Sequence, residues 1–212
     1  MHHIIKNGAI FILMQSIDLA KEIFEAHGGM LRTSEALAAG IHPRTLYRLR
    51  DLGVLERISR GLYRWANLPP LTNPDLVTVA SRVPRGVICL VSALAYHEVT
   101  SQIPHEVHVA IPREVRVPRI DWPPIRGFRF SAPSFRAGIE KHTIDTTEVK
   151  IYSPAKTVAD CFKFRNTVGI DVAVEGLRLT LERGRATPAD IEAATRVCRV
   201  ERVVGPYLEA LL

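Results

Sequence analysis

Residues 41–65, IHPRTLYRLRDLGVLERISRGLYRW, restrict the fold more than any other stretch of this 212-residue chain. Pro43 suits the first position of a helix, where its missing N–H has no helical partner to lose. Leu46 and Leu49 recur at helical spacing, and Gly53 can take the conformation that stops a helix. Residues 54–58 and 62–65 read as two short strands around Ser59-Arg60-Gly61, a sequence suited to a tight turn. The spacing therefore predicts a helix over 43–52 followed at once by a hairpin.

Upstream, Ser16 is a suitable cap for a helix whose apolar positions Ile17, Leu19, Ala20, Ile23 and Phe24 precede a stop at Gly28-Gly29. Thr33 is read as the cap of a second helix over 34–39, ended by Gly40. Three helices and a hairpin within about fifty residues complete a winged helix-turn-helix. The proline-dense run Asn67-Leu-Pro-Pro-Leu-Thr-Asn-Pro74 then marks a linker. Beyond it, helices are expected over 74–82, 92–98, 154–164, 170–183, 188–197 and 202–211, with strands over 106–111, 128–130 and 149–152. Residues 112–136, rich in proline and arginine, read as an extended excursion or ribbon. The expected fold class is α+β, a winged helix-turn-helix followed by a mixed α+β domain. Its boundaries are an N-terminal extension at 1–16, the winged domain at 17–66, the linker at 67–74 and a second domain at 75–212. An apolar content of 47% suffices for one large or two modest cores.

Charge points to a partner. Residues 41–65 hold six arginines (Arg44, Arg48, Arg50, Arg57, Arg60, Arg64) against two acids (Asp51, Glu56), within a chain of net charge +6. Around the helix over 43–52, Leu46, Leu49 and Gly53 share one side, while Arg44, Tyr47, Arg48 and Asp51 share the other. Arg50 and Thr45 flank them. Arginine in a major groove can bond guanine O6 and N7 together, and Tyr47 offers a ring and a hydroxyl. Thr33, Ser34 and His42 stand at helix starts, where backbone N–H groups suit phosphate. Arg57 and Arg60 on the hairpin are placed for a minor groove or flanking phosphates. Double-stranded DNA is the expected partner. A winged helix can instead dock a protein, which is the alternative from another functional class. A second basic surface is expected from Arg113, Arg116, Arg119, Arg126 and Arg129, either as a further contact or as a solvated loop.

Other chemistries find less support. Cys89, Cys161 and Cys198 are three, scattered and flanked by apolar residues, as expected of reduced, buried thiols in a cytoplasmic protein. No run reaches the ~20 apolar residues that span a bilayer. Residues 9–14 are too short for a leader core and lack its cleavage pattern; an alternative start at Met14 would make 1–13 an upstream extension. Glu148-Val-Lys150 forms the half-motif of restriction-like nucleases, with Asp121 or Asp145 as candidates for the missing acid. An exposed strand with alternating charge explains the same residues. His97-Glu-Val-Thr-Ser101 has serine where a metalloprotease helix needs its second histidine. His105 and His108 would point to opposite faces of a strand. Ser153-Pro-Ala-Lys156 lacks the companion motifs of penicillin-binding enzymes and reads better as a capped helix start. No catalytic residue, cofactor or metal site is expected.

Two segments resemble the AbiEi-type antitoxins of type IV, abortive-infection toxin–antitoxin systems. One runs from Gly29-Met-Leu-Arg-Thr through Ala39-Gly-Ile-His-Pro-Arg-Thr-Leu-Tyr-Arg-Leu to Gly53-Val-Leu-Glu-Arg-Ile-Ser-Arg-Gly-Leu-Tyr-Arg. The other is Ile151-Tyr-Ser-Pro-Ala-Lys-Thr-Val-Ala-Asp-Cys-Phe, with weaker similarity at Val91-Ser-Ala-Leu-Ala-Tyr-His and 107–112; the coverage is about 17–210. The resemblance implies a bacterial regulator that represses its own operon at inverted repeats and counteracts a nucleotidyltransferase-like toxin. It places the groove-reading helix at 43–52, the wing at 54–65 and the antitoxin activity in the second domain. The family also includes orphan regulators without a toxin.

Overall fold

The computed structural model describes residues 2–117 and 119–212, with side chains described from Met14 onward. The apolar residues 9–13, and with them the leader-like segment and the upstream extension, lie outside the described side chains. The chain divides into two compact units. One comprises the residues up to Thr72 with Asp145–Thr147, the other Asn73–Ile144 and Glu148–Leu212.

The first unit opens with α1 (His2–Ala26). This helix corrects the expected start at Ser16: residues 2–15 contain no proline, so nothing in the backbone halts the helix there. It also corrects Leu19, which is 53% exposed while Ala20 and Phe24 are buried. Leu19 stands about 200° around the helix from Ile17, outside the stripe that faces the core. After Gly28-Gly29 comes β1 (Met30–Arg32), then α2 (Thr33–Ala38) and α3 (Pro43–Asp51). The hairpin is β2 (Leu55–Ser59) and β3 (Leu62–Trp65). These strands form an antiparallel sheet in the order β1-β3-β2, with Met30 opposite Arg64 and Leu55 opposite Trp65. Phe24, Leu31, Ala36, Leu46, Leu49, Leu55 and Tyr63 make one apolar core. Each buried leucine there contributes roughly 1.5–3 kcal/mol relative to exposure.

The second unit runs through α4 (Pro74–Arg82), β4 (Val87–Ile88), α5 (Leu90–Tyr96), β5 (Val107–Pro112), β6 (Ile125–Phe130) and α6 (Ala132–Arg136). It continues with β7 (Ile139–Ile144), β8 (Thr147–Tyr152), α7 (Pro154–Lys163), α8 (Arg165–Val168), α9 (Ile170–Glu182), α10 (Pro188–Cys198) and α11 (Glu201–Glu209). The sheet order is β6-β5-β4-β8-β7, with β4 antiparallel to β5 and parallel to β8, and β5 parallel to β6. Within the expected excursion or ribbon over 112–136, the strand expected at 128–130 is the longer edge strand β6, from which Phe128 and Phe130 face the core; the correction is the helix α6 that follows it.

Helix α7 is the centre of this unit. Ser153 caps it by accepting from the Lys156 amide at 3.3 Å, and Pro154 occupies its first turn. Every residue from Ala155 to Phe162 is buried, so that stretch of the helix has no solvent face, and Lys163 at its end is exposed. Within it, Lys156 pairs with Asp160 one turn later, at 2% and 0% exposure. The Cys198 thiol donates to Asp160 at 3.2 Å, and the Lys156 ammonium lies 4.2 Å from the Tyr152 ring centroid and 4.9 Å from that of Phe130. Burial still raises the Asp160 carboxyl above its ordinary range, against the pull of Lys156. Burial also pushes the Cys89 and Cys161 thiols far up. Among the described residues, no helix is long and apolar enough to cross a membrane.

Candidate nucleic-acid interface

Helix α3 begins at His42, whose Nδ1 accepts from the Arg44 amide at 3.2 Å. Leu46 and Leu49 anchor its inner face in the core, which turns Arg44, Tyr47 and Arg48 outward. Thr45 is half-buried at the flank. Arg50 is the cation this helix consumes itself. Its Nε and Nη2 donate to Asp51 at 2.8 and 2.6 Å, and its guanidinium lies 5.3 Å from the Tyr47 ring centroid. The local bond leaves Arg44 and Arg48 as the two exposed cations of the face.

The wing is closed by Arg60-Gly61 between Ser59 and Leu62, with Gly61 at φ 72°, a left-handed conformation that glycine takes without a Cβ clash. Arg57 is exposed, its Nε donating to the Ser59 carbonyl at 3.3 Å, and Arg60 is exposed at the turn. Arg64 differs. It is 6% exposed, donates to the Pro69 carbonyl and lies 3.7 Å from Glu56. It ties the central strand β3 to β2 and to the segment that follows the wing.

The structure corrects one expectation at the start of α2. Arg32, not Thr33, occupies the cap position, and its amide donates to Glu35 Oε2 at 2.7 Å. The Thr33 amide instead donates to the Gly61 carbonyl at 2.9 Å, with its hydroxyl 3.4 Å from the same oxygen. Strand β1 pairs with β3 and draws Thr33 to the turn, so its donors are committed within the protein. Ser34 remains exposed beside it. Sequence reasoning missed β1, a three-residue strand whose only signals were a glycine pair before it and a helix after it.

The second basic set belongs to the second unit. Arg113, Arg116 and Arg119 lie exposed between β5 and β6, while Arg126 and Arg129 stand on the edge strand β6. Arg126 lies 3.5 Å from Glu106 and over the Phe128 ring at 5.6 Å. Its charge is partly answered.

The nuclease half-motif is taken up by other contacts. Glu148 on β8 pairs with Lys141 on β7 at 3.1 Å, and Lys150 donates to the Pro84 carbonyl at 3.3 Å. Asp145 accepts from the Thr72 amide and hydroxyl, and Asp121 is exposed in the loop before β6. Val149 and Ile151 are buried, as the alternating-strand reading expects. His105 precedes β5 and is exposed, whereas His108 is buried against Phe128 with its Nε2 3.6 Å from Glu106. They do not converge.

A fold of this kind is known. A crystal structure of the RV2827C protein from Mycobacterium tuberculosis superposes with a TM-score of 0.58 over 92% of this chain and 80% of that one, at 14% identity. The likeness is one of fold. Among curated proteins none matches significantly. Residues 18–66, from the first helix to the end of the wing, match the family model described as "Transcriptional regulator, AbiEi antitoxin", and the winged-helix unit is in that respect similar to the AbiEi regulators.

Proposed function

We propose that this protein is a cytoplasmic, DNA-binding transcriptional repressor that autoregulates a toxin–antitoxin operon and counteracts a nucleotidyltransferase-like toxin, with no catalytic activity of its own. The observation that carries the reading is the exposed face of α3, with Arg44, Tyr47 and Arg48, beside a wing bearing Arg57 and Arg60, within the unit that matches the regulator family. Arg44, Tyr47 and Arg48 read base edges in the major groove. Ser34, His42, Thr45, Arg57 and Arg60 position the protein on the phosphates, and Thr33 holds the wing to α2.

Fluorescence anisotropy with duplex DNA from upstream of the protein's own reading frame, especially any inverted repeat there, tests this. Arg48→Ala should cost about 1–3 kcal/mol in operator affinity and relax one base preference. Arg57→Ala and Arg60→Ala should weaken all sequences alike and each lower the salt slope by about one. Unchanged operator binding with Arg44 and Arg48 both replaced by alanine would sink the assignment. Antitoxin action is read separately, by co-expression with a nucleotidyltransferase encoded beside it. Growth should be rescued by the wild type and equally by the double-alanine protein.

A further inference from the structure

One cluster of side chains has no part in that reading. His97 follows α5, and Glu140 and His142 lie two residues apart on β7, hence on one face of that strand. Lys141 and Thr143, on the opposite parity, are exposed. The fold of the second unit brings the end of α5 to this face, and one ligand atom from each of the three residues lies within 4.8 Å of the others. The His142 Nε2 is 3.1 Å from Glu140 Oε2. The His97 and His142 rings stand 5.8 Å apart, and the Tyr96 ring meets both, at 5.3 and 5.0 Å.

The hydrogen bonding of His97 orients it for ligation. Its Nε2 lies 2.7 Å from the Tyr152 carbonyl oxygen, which can only accept. The Nε2 therefore carries the proton, and the Nδ1 lone pair is left over. A histidine tied through one nitrogen to a backbone carbonyl is the usual outer support of a metal-bound imidazole. Two imidazoles and one carboxylate suit a borderline divalent ion and, with nitrogen in the majority, disfavour Mg2+ and Ca2+. Ligands of a tetrahedral ion at about 2.1 Å stand roughly 3.4 Å apart. The His142 and Glu140 side chains, 27% and 42% exposed, have room to close the difference by rotation.

We infer that His97, Glu140 and His142 form a binding site for one divalent first-row transition ion, Zn2+ foremost, with a fourth position left to water. Bound there, the ion ties the edge strand β7 to the end of α5 and stabilises the second unit.

The test uses the untagged full-length protein, stripped with a chelator and titrated with Zn2+ by calorimetry, with melting followed in parallel. One equivalent should bind and the melting temperature should rise. His142→Ala and Glu140→Gln, each confirmed folded by circular dichroism, should weaken that binding about a hundred-fold or more, beyond what loss of an outer partner costs. No Zn2+ binding by the wild type, or unchanged binding by both variants, would overturn the site. If either variant fails to fold, X-ray absorption on the Zn2+-loaded wild type decides. Two imidazole nitrogens in the first shell support the assignment, and sulfur at about 2.3 Å refutes it.

Discussion

In the first unit Arg44 and Arg48 of α3 stand in solvent above an apolar core, whereas in the second a lysine and an aspartate lie at the centre of the core itself. Arg44 and Arg48 lose nothing by being exposed and are free to meet a polyanion. Lys156 and Asp160 are held by each other, by the Cys198 thiol and by two aromatic rings, and they can meet nothing outside. Charge on the surface is available for binding. A paired charge in the core constrains how its neighbours pack, because any arrangement that separates the pair leaves an ion without water.

The largest expected effect breaks the buried side of this contrast. Lys156→Met should destabilise the second unit by about 3–5 kcal/mol in denaturant titration, since Asp160 is left uncompensated. Replacing both, as Lys156→Met with Asp160→Leu, should recover most of that loss; failure to recover would mean that packing, not charge pairing, holds α7. Next, Leu49→Ala should cost about 2–5 kcal/mol in the first unit, read by hydrogen exchange of the α1–α3 amides. Ser153→Ala removes the cap of α7 and should cost about 1 kcal/mol. By contrast, Arg44→Ala and Arg48→Ala should each move stability by no more than about 0.5 kcal/mol while weakening DNA binding. A large stability loss there would erase the distinction between the units.

The smallest effect concerns pH. Burial lowers the His108 pKa from its ordinary value near 6.5, opposed by nearby Glu106 and reinforced by Arg126. Below that value the unfolded chain takes up a proton that the folded imidazole resists. The stability given by neutral His108 is therefore present above about pH 6.5 and declines as pH falls toward the lower folded value. Denaturation curves of wild type and His108→Asn should diverge less at pH 5 than at pH 8.

The wing and α3 were legible because their signals are local: Pro43 to start, Gly53 to stop, Gly61 to turn, and two leucines to fix the inner face. Helices α7, α9 and α10 were legible as well, over 154–164, 170–183 and 188–197, with Ser153-Pro154 as the local start of α7. Strand β1 escaped because three residues cannot show a period, and its pairing with β3 is made across thirty residues. Lys156 and Asp160 show helical spacing, but their burial depends on the neighbouring helices and on Phe130 and Tyr152 from strands β6 and β8. His97, Glu140 and His142 were unreadable as a group, since only the topology of the second unit places the end of α5 beside β7. Local chemistry is written in runs, and convergent chemistry is not.

The pairing of β1 with β3, together with the bonds from Thr33 to the Gly61 carbonyl, fastens the wing along its β3 side. A protease that cut after Arg60 would sever the chain without dismantling the domain. The piece ending at Arg60 carries β1 and β2, the piece beginning at Gly61 carries β3, and the sheet holds them together. The nicked protein should elute as one species until denaturant parts it.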